Sequence, residues 1–320
     1  MGSLIVKCAI TCISIALAVS AAPLRPHLED PATRDSSPPT HRLAPGIETV
    51  LVSGATGRTG SLAYFALRSS GVSVRALVRN ASKAREVLDC GACTEAEGIF
   101  VGDVTLPQTL PTSAFVGADA LLVTTGSFPY QLPNGSWSYP SGGFPVDVDF
   151  HGCNAQVALA RNSGVRRIVL ISSMGTTQPG SFLDRLGGGF ALMYKLASEA
   201  HLMSVVGASR KKMAFTIIKP AGLLDAKGGK AALIVGHDDV FIDKCGANNC
   251  LAIPREDVAA TAVAALTEFA PDSYNLRLDL RFASTKSARP HSPPPLFCLI
   301  QRRHSNEYRE GETFNMICLI

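Results

Sequence analysis

Short apolar runs and longer amphipathic stretches follow one another in regular order through the middle of the chain. An apolar run bounded by turn residues is typical of a buried strand, and apolar residues three and four apart are typical of a helix. The runs that predict strands are 48–53, 72–79, 98–103, 118–126, 165–173, 214–220 and 273–278, and the stretches that predict helices are 60–69, 146–163, 191–207 and 255–269. Strands that alternate with helices require parallel pairing and right-handed crossovers. The sequence therefore predicts an α/β fold on one doubly wound parallel sheet.

The 320 residues divide into one large domain and two appendages. Residues 47–280 carry the whole strand and helix pattern, and a chain with 46% apolar and 18% charged residues can bury one large core. Beyond residue 280 the pattern stops. We expect residues 281–320 to be an irregular tail, either a disordered extension or sequence read from outside the original coding frame.

Residues 1–22 form a separate, leader-like segment. Lys7 precedes an apolar run that ends in small residues and is typical of a secretory leader cleaved near Ala21 or Ala22. The run is short for a membrane span, and a buried first helix is disfavoured because a Pro-rich stretch follows at once. Residues 23–46 hold six prolines and predict a linker or the transit-like half of a two-part leader. We expect the secretory pathway or an organelle such as a plastid, with the cytoplasm as the alternative.

The charge distribution excludes one class of function. The 30 Lys and Arg against 26 Asp and Glu give a net charge of +4, but the excess lies in the two appendages, and residues 47–280 carry equal numbers of basic and acidic residues. A domain that binds nucleic acid needs a basic face. We therefore expect no nucleic acid as a partner. The expected ligand is a small-molecule substrate, and the protein is expected to be a monomer or a homodimer.

A glycine triplet follows the first predicted strand and opens the first predicted helix. Backbone N–H groups and the positive end of a helix dipole together form a site for phosphate. Gly54 can take the turn at the strand end, Gly57 lets the backbone approach a phosphate, and Gly60 lets the helix lie close on the sheet. The predicted phosphate loop comprises Gly54, Thr56, Gly57, Arg58, Thr59 and Gly60. This context favours a dinucleotide site over an ordinary strand-to-helix turn.

Arg79, at the end of the second predicted strand, bears on the choice of cofactor. An acid at this position accepts hydrogen bonds from the ribose of NAD, whereas an arginine meets the 2′-phosphate of NADP. Arg79 therefore favours NADP, with NAD less expected, and Arg58 could add a second charge to the same phosphate. The alternative is a solvated arginine at a strand end.

Further cofactor contacts are expected at the ends of the third and fourth predicted strands, because ligands of a doubly wound sheet lie along its carboxyl ends. Asp103 ends the third strand, beside the expected adenine, and the fourth strand ends in Thr124, Thr125 and Gly126. Residues 127–146 follow as a long loop that holds the chain's one tryptophan. A loop of this length is typical of a flap over a ligand.

Several stretches resemble one enzyme family. The spacing Gly-x-x-Gly-x-x-Gly after Ser53 is similar to that of short-chain dehydrogenases/reductases, and about residues 48–280 resemble their NmrA-like, atypical branch. The stretches that carry the resemblance are Asp149–Asn154, 164–173, Lys195–Glu199, Thr216–Leu223 and Arg255–Ala259. The resemblance implies a Rossmann-type NAD(P)-binding domain, a small substrate lobe at 221–252 and a cofactor contact at Pro220.

The resemblance also implies a reaction, with one departure. The superfamily's usual reduction uses a tyrosine, a lysine four residues later and a serine. Lys195 and either Ser172 or Ser173 match, but position 191 is alanine, and Tyr194 points about 100° away from Lys195 on a helix.

Two functions follow from that departure. In the first, an NADP-dependent reductase of a small carbonyl, enone or quinone uses Lys195, with Ser173 or a water, as the proton source. In the second, the protein is a non-catalytic NADP(H)-binding redox sensor or assembly factor. The alternative for Lys195 is a solvated helix lysine paired with Glu199 at i+4.

Two further residues invite a functional interpretation. His151 lies in the predicted helix 146–163, where a packed histidine is favoured over a catalytic one. Lys219 precedes Pro220, where the family often has arginine, and could place a positive charge near the nicotinamide.

The nine cysteines form no disulfide framework, because their number is odd and four lie in the leader and tail. Cys90 and Cys93 have redox or metal spacing. We interpret them as inert thiols, with a local disulfide or a metal pair as alternatives. Cys245 and Cys250 form a looser pair at the opposite edge of the predicted sheet, so no metal site is expected.

Overall fold

The structure is a computed structural model that describes residues 47–178, 180–242, 252–267 and 274–282, and the backbone of 316–318. The expected leader 1–22, the Pro-rich residues 23–46, most of the expected tail 281–320 and the pair Cys245 and Cys250 lie outside the described residues. The domain boundaries expected from the sequence stay predictions.

A parallel sheet with helices on both faces forms the body of the described chain. Its strands and those of two smaller sheets are β1 (Thr49–Ser53), β2 (Ser73–Val78), β3 (Ile99–Val101), β4 (Ala120–Val123), β5 (Tyr130–Gln131), β6 (Trp137–Ser138), β7 (Arg167–Ile171), β8 (Ala214–Pro220), β9 (Gly222–Leu224), β10 (Leu233–Gly236), β11 (Ala252–Pro254), β12 (Leu276–Phe282) and β13 (Met316–Cys318). The helices are α1 (Arg58–Ser69), α2 (Ala81–Leu88), α3 (Thr112–Phe115), α4 (Cys153–Asn162), α5 (Phe182–Arg185), α6 (Ala191–Gly207) and α7 (Arg255–Leu266).

The order of the strands confirms the α/β fold expected from the sequence. Strands β3, β2, β1, β4, β7, β8 and β12 lie side by side and are all parallel. β10 continues this sheet as an antiparallel neighbour of β12, with the backbone of β13 beside it. The order reverses between β1 and β4, and ligands of such sheets bind in the crevice at this reversal.

Alternate residues of the central strands face two separate layers of helices, as the two-residue period of a strand requires. Val50 and Val52 of β1 pack in the layer of α1, α2 and α7, and Leu51 between them packs in the layer of α3, α4 and α6. All three side chains are fully buried. Strands covered on both faces read as continuous apolar runs, which is why the sequence pattern revealed them.

Three expected elements differ from the structure. The last parallel strand was expected over 273–278 but is Leu276–Phe282. Asp279 lies inside this strand, where it is fully buried and forms an ion pair with Lys219. The loop 127–146 contains the antiparallel pair β5 and β6. The region expected as a separate lobe, 221–252, gives β10 to the main sheet and β9 to a small parallel pair with β11.

The helix expected over 146–163 has two parts. Val146–Gly152 is a π-helix, and α4 continues from it without a break. Short π-helical segments are rare and occur frequently at functional sites, because the wider turn redirects the side chains that it carries. No helix among the residues described is long and apolar enough to cross a membrane.

Candidate active site

A groove of about 250 Å³ opens at the carboxyl ends of β1, β2 and β4, where the strand order reverses. Of the twelve residues that the sequence suggested for the cofactor, seven line it: Gly54, Thr56, Gly57, Arg79, Thr124, Thr125 and Gly126. The expected phosphate loop, the end of β2 and the end of β4 therefore meet in one place.

The glycine loop leaves no room for larger residues. Gly54 has a φ of +75°, which side chains disfavour, and its carbonyl accepts a 2.8 Å hydrogen bond from the N–H of Gly57. A Cβ on Gly60 would lie 2.2 Å from the carbonyl oxygen of Gly54 and 2.5 Å from Oγ1 of Thr124. The close approach of α1 to the loop requires glycine at this position.

The N-terminus of α1 is open toward an anion. Gly57 is its N-cap and offers no side-chain acceptor, and the first turn contains no acidic residue, so no side chain of the described residues caps the N–H groups of Arg58, Thr59 and Gly60. The hydroxyl of Ser53, which lines the groove, is buried and has no hydrogen-bond partner among the described residues. These donors fit the pyrophosphate of a dinucleotide.

Two cations lie at the other end of the groove. Arg79 and Lys83 both line it, and both are exposed. Asn80 caps α2 by accepting a 2.9 Å hydrogen bond from the N–H of Lys83, which fixes Lys83 in the first helical turn. Lys83 was not among the residues predicted from the sequence. Its signal was present, because an asparagine before a helical stretch is a typical N-cap.

The other five residues suggested for the cofactor lie outside the groove lining, and one of them is Gly60, which packs against Gly54. The guanidinium of Arg58 is 3.0 Å from Asp225 and 4.6 Å from the ring centre of Phe128. It therefore does not join Arg79, although the sequence had suggested that both arginines meet the same phosphate. The carboxylate of Asp103 instead accepts from the N–H and hydroxyl of Thr105 and closes its own loop.

Thr59 does not line the groove, but its backbone N–H belongs to the open first turn of α1. Pro220 is buried inside β8, and its carbonyl accepts from the N–H of Met174 at 3.0 Å. Strand ends and helix starts can be read from sequence, whereas the direction of each side chain depends on neighbours from distant segments.

Lys195 lies next to the groove residue Gly126 and lines a separate, smaller cavity. Its Nζ is 2.5 Å from Oδ1 of Asp149, and a Cβ on Gly126 would lie 3.2 Å from the same Nζ. Oδ2 of Asp149 accepts from the N–H of Ser127 at 3.1 Å and from its hydroxyl. The side chain of Asp149 is 2% exposed and that of Lys195 17%. The ammonium is thus held by a buried carboxylate while part of it remains accessible.

The pairing of Lys195 with Glu199, expected as the alternative, is wrong. Glu199 is fully buried and accepts from the hydroxyl of Ser172 and from Nε of Arg277, the latter at 2.6 Å. Asp149 was missed as the partner. It stood in a family-like stretch next to His151, but the π-helix that turns it toward Lys195 has no recognisable sequence signal.

The two candidate serines have different surroundings. Ser172 lines a cavity of about 10 Å³, the size of a single water, together with Lys195, Asp149 and Ser198. Ser173 does not line that cavity, and its hydroxyl donates to the carbonyl of Met174 at 2.9 Å. Of the two, Ser172 is therefore the serine that shares a space with Lys195.

Neighbouring groups are poor proton donors or nucleophiles. Tyr139 is buried, and burial together with the charges of Asp149 and Asp184 raises the pKa of its phenol. Burial raises the pKa of the Cys153 thiol to about 12, so it stays protonated at neutral pH. Among the described residues that line the small cavity, Lys195 is the one cation, and it is partly accessible. It is therefore the best-placed proton donor of these residues.

Three further expectations can be compared with the structure. Lys219 is fully buried in ion pairs with Asp239 and Asp279, at 2.9 and 3.2 Å, so the expected charge near a nicotinamide is wrong. His151 is exposed, with its ring beside Phe150.

The remaining expectation concerns cysteines. Cys90 and Cys93 form a disulfide, so the interpretation as inert thiols is wrong and the local disulfide is the alternative that holds. In the described ranges no group of three or more His, Cys, Asp or Glu could hold a metal ion.

The fold and the groove define a dinucleotide-binding protein of the Rossmann type. Residues 54–269 match the family model described as NAD(P)H-binding. The chain is 34% identical to sanguinarine reductase of Eschscholzia californica over 245 residues, which are 68% of this chain and 84% of the relative. It is 32% identical over 228 residues to an uncharacterised chloroplastic protein of Arabidopsis thaliana, covering 68% of this chain and 65% of that one.

This chain therefore belongs to the NAD(P)H-binding family of atypical short-chain dehydrogenases/reductases, as the resemblance implied. Among solved structures, a putative NAD-dependent epimerase/dehydratase from Bacillus halodurans has the same fold, with 21% identity and a TM-score of 0.56 over 74% of this chain and 95% of that one. The protein is an NAD(P)-binding member of an oxidoreductase family.

Proposed function

We propose that this protein is an NADP(H)-dependent reductase of a small, apolar carbonyl, enone or quinone. The observation that carries the proposal is the pair of Lys195 and Asp149, held 2.5 Å apart beside Gly126, which lines the groove. The cofactor supplies a hydride when it is bound. The chain must supply the matching proton, and Lys195 is placed to do so.

Arg79 and Lys83 support the choice of NADP. Both are exposed cations of the groove lining, on either side of the cap of α2. The 2′-phosphate adds negative charge that two cations bind more tightly than they bind a ribose hydroxyl. We infer that NADP(H) binds with its phosphorylated ribose between these two side chains.

Asp149 acts as a positioning residue for the proton donor. One carboxylate oxygen binds the ammonium, and the other accepts two hydrogen bonds from Ser127, so neither the carboxylate nor Nζ is free to rotate away. Nζ of Lys195 donates its proton to the oxygen of the reduced carbonyl, and the small cavity beside Ser172 can hold one water to return a proton to Nζ.

The surroundings of the groove favour an apolar substrate. Phe128 lines the groove and is 61% exposed, and Trp137 and Phe182 also expose large apolar surface. β6 packs on the turn before α6, where a Cβ on Gly187 would lie 3.1 Å from Cα of Ser138. An exposed aromatic side chain in the lining of a cleft, as Phe128 is here, is typical of a site that removes a hydrophobic ligand from water.

The test is the oxidation of NADPH in the presence of a panel of quinones, enones and aldehydes. We expect Lys195→Met to lower kcat by about 10²- to 10⁴-fold, the usual contribution of general acid catalysis, while NADPH binding is retained. Asp149→Asn should lower kcat by a smaller factor. Lys212→Met, which removes an exposed lysine from the turn before β8, at the amino end of the strand and not at the carboxyl ends where the groove lies, is the matched control and should keep full activity.

A non-catalytic sensor of NADP(H) is the second candidate. It is favoured by Ala191, which stands four residues before Lys195 where the superfamily's tyrosine would be. Tight NADPH binding with no turnover of any compound in the panel would favour this sensor and contradict the reductase.

We propose a plastid as the location. The Arabidopsis thaliana relative is named chloroplastic, and a two-part leader was one of the alternatives expected for the residues before the domain. A fluorescent protein fused to the C-terminus of the full chain should enter plastids, and a chain that lacks residues 1–46 should not. Fluorescence of both proteins in the same compartment would contradict the proposal.

A further inference from the structure

The disulfide between Cys90 and Cys93 follows directly after α2, the helix that carries one cation of the coenzyme groove. α2 holds Lys83 in its first turn, where it lines the groove, and the helix ends at Leu88, two residues before Cys90. The five residue steps of helix from Lys83 to Leu88 correspond to about 7.5 Å, so the groove and the disulfide lie near opposite ends of one short helix.

The segment around the disulfide is tightly bonded. The carboxylate of Glu97 accepts from the N–H groups of Ala92 and Cys93, at 2.8 and 3.1 Å. Nε of Arg85, in the last turn of α2, donates to the carbonyl of Gly91 at 3.0 Å. The position of α2 is therefore tied to the loop that the disulfide closes.

The backbone of this loop adopts a conformation that an uncrosslinked chain disfavours. Asp89, the C-cap of α2, has a φ of +54° and Cys93 has a φ of +55°, and neither residue is glycine. Non-glycine residues in the left-handed region persist where the surrounding structure holds them. Breaking the crosslink removes one of the constraints that hold the end of α2.

The two cysteines of the disulfide differ in their exposure to solvent. Cys93 is 4% exposed and packs in the core with Leu88, whereas Cys90 is partly exposed. An incoming thiolate can therefore reach Cys90, and Cys93 is the leaving group. A disulfide with a purely structural role would be better protected if both of its cysteines were buried.

We propose that Cys90 and Cys93 form a reversible thiol–disulfide site, reduced by a dithiol protein, which controls the position of Lys83 and hence the affinity for NADPH. One thiolate of the dithiol attacks Sγ of Cys90, the bond to Cys93 breaks, and Cys93 leaves as a thiolate that takes up a proton. The second thiol of the reductant then attacks the mixed disulfide and releases Cys90 as a thiol. The pair gains two electrons and two protons, and the reductant becomes a disulfide. The coupling to NADPH rests on the proposed function.

The chemical half of the proposal is tested on the folded full chain with dithiothreitol as the reductant. Iodoacetamide added without denaturant should label the partly exposed Cys90 after reduction and not before it, as mapped by peptide mass spectrometry, and buried Cys93 should become labelled only when the reduced protein is denatured. Buried Cys153 should stay unlabelled in both samples without denaturant. Failure of dithiothreitol to open the disulfide in the folded protein would overturn the reversible site.

The coupling is tested by calorimetric titration of both redox states with NADPH and NADH. Reduction should weaken NADPH binding about five-fold, a typical coupling between sites, and should leave NADH binding nearly unchanged. The double variant Cys90→Ser, Cys93→Ser should bind NADPH as the reduced protein does under both conditions. The matched control, Cys245→Ser with Cys250→Ser, should respond to dithiothreitol as the unaltered chain does.

Lys83→Ala separates this coupling from a general loosening of the fold. It should weaken NADPH binding in the oxidised protein and abolish the response to reduction. Equal NADPH affinity in both redox states of the unaltered chain would overturn the coupling. If neither state binds NADPH, the proposed function fails and the coupling falls with it, whereas the thiol–disulfide site is still judged by the labelling.

Discussion

Lys195 and Lys219 are each paired with aspartate at the carboxyl-end side of the sheet, but their surroundings differ. Lys195 has one carboxylate partner and keeps 17% of its side chain exposed beside the groove. Lys219 is fully buried between two carboxylates, Asp239 and Asp279. A cation can transfer a proton to a substrate only if the substrate can reach it. The ion pairs of Lys219 therefore stabilise the fold, whereas Lys195 is available for chemistry.

The aspartates differ in the same way. Asp239 also accepts from the N–H groups of Gly175 and Thr177, and so ties the segment after β7 to the segment after β10. Burial opposes the charge of Asp239, but the hydrogen bonds from Thr177, Gly175 and Lys219 outweigh it, and the pKa of Asp239 is lowered. Burial and the nearby charge of Asp239 raise the pKa of Asp279. Asp149, by contrast, pairs among the described residues with a single ammonium, that of Lys195, and its other carboxylate oxygen accepts from Ser127.

The largest expected effect comes from removing Lys219. Lys219→Met should lower the free energy of unfolding by about 3–5 kcal/mol, because it leaves two buried carboxylates without a cation. Lys195→Met should cost less than half as much, since Asp149 keeps its two hydrogen bonds from Ser127. Urea unfolding monitored by circular dichroism measures both.

A further variant separates charge from packing at this site. If Lys219→Met is combined with Asp239→Asn and Asp279→Asn, most of the lost stability should return, because no uncompensated charge remains. A loss in Lys195→Met as large as that in Lys219→Met would remove the distinction between the two lysines.

An intermediate effect is expected from Gly126→Ala. The new methyl group would lie 3.2 Å from Nζ of Lys195 and 3.4 Å from Oδ1 of Asp149, and φ at this glycine is not positive, so the backbone tolerates alanine. Displacement of the ammonium should lower kcat about ten-fold, as small misplacements of catalytic groups do, with little change in stability.

Gly207→Ala is the control for this variant. Gly207 ends the same helix that carries Lys195, and a Cβ there would meet nothing within 4 Å. Steady-state NADPH oxidation compares the two. Unchanged kcat in Gly126→Ala would place the reacting centre elsewhere in the groove.

The sequence predicted the fold well because its strands are buried on both faces and its loops carry glycine. β1, β4, β7 and β8 appear as apolar runs, and the glycine triplet marks the switch between β1 and α1. The strand β12 was misplaced because the buried charge of Asp279 looks like a strand end in the sequence. Its partner, Lys219, lies sixty residues earlier in the chain.

The site was predicted only in part, for the same physical reason. The position of Lys195 could be read from the sequence, but its partner depends on a π-helix and on packing between α6 and the segment before α4. Arg58 was expected at the phosphate and instead meets Asp225, which comes 167 residues later. Ion pairs between distant segments leave no local pattern.

The smallest expected effect concerns the stability of the Lys219 cluster in acid. Because the pKa of Asp239 is lowered from its ordinary value of 3.8, its contribution is fully present above that value and is lost as the pH falls through the lowered one. Asp279 acts in the opposite sense, because its raised pKa lets the folded form take up a proton first, so the two partly cancel. Asp239→Asn should flatten the loss of stability below pH 3.8, since asparagine tolerates the φ of +59° at this position but does not titrate. Urea unfolding of both proteins from neutral pH downwards measures the slope, and parallel slopes would mean that the depressed pKa of Asp239 does not stabilise the fold.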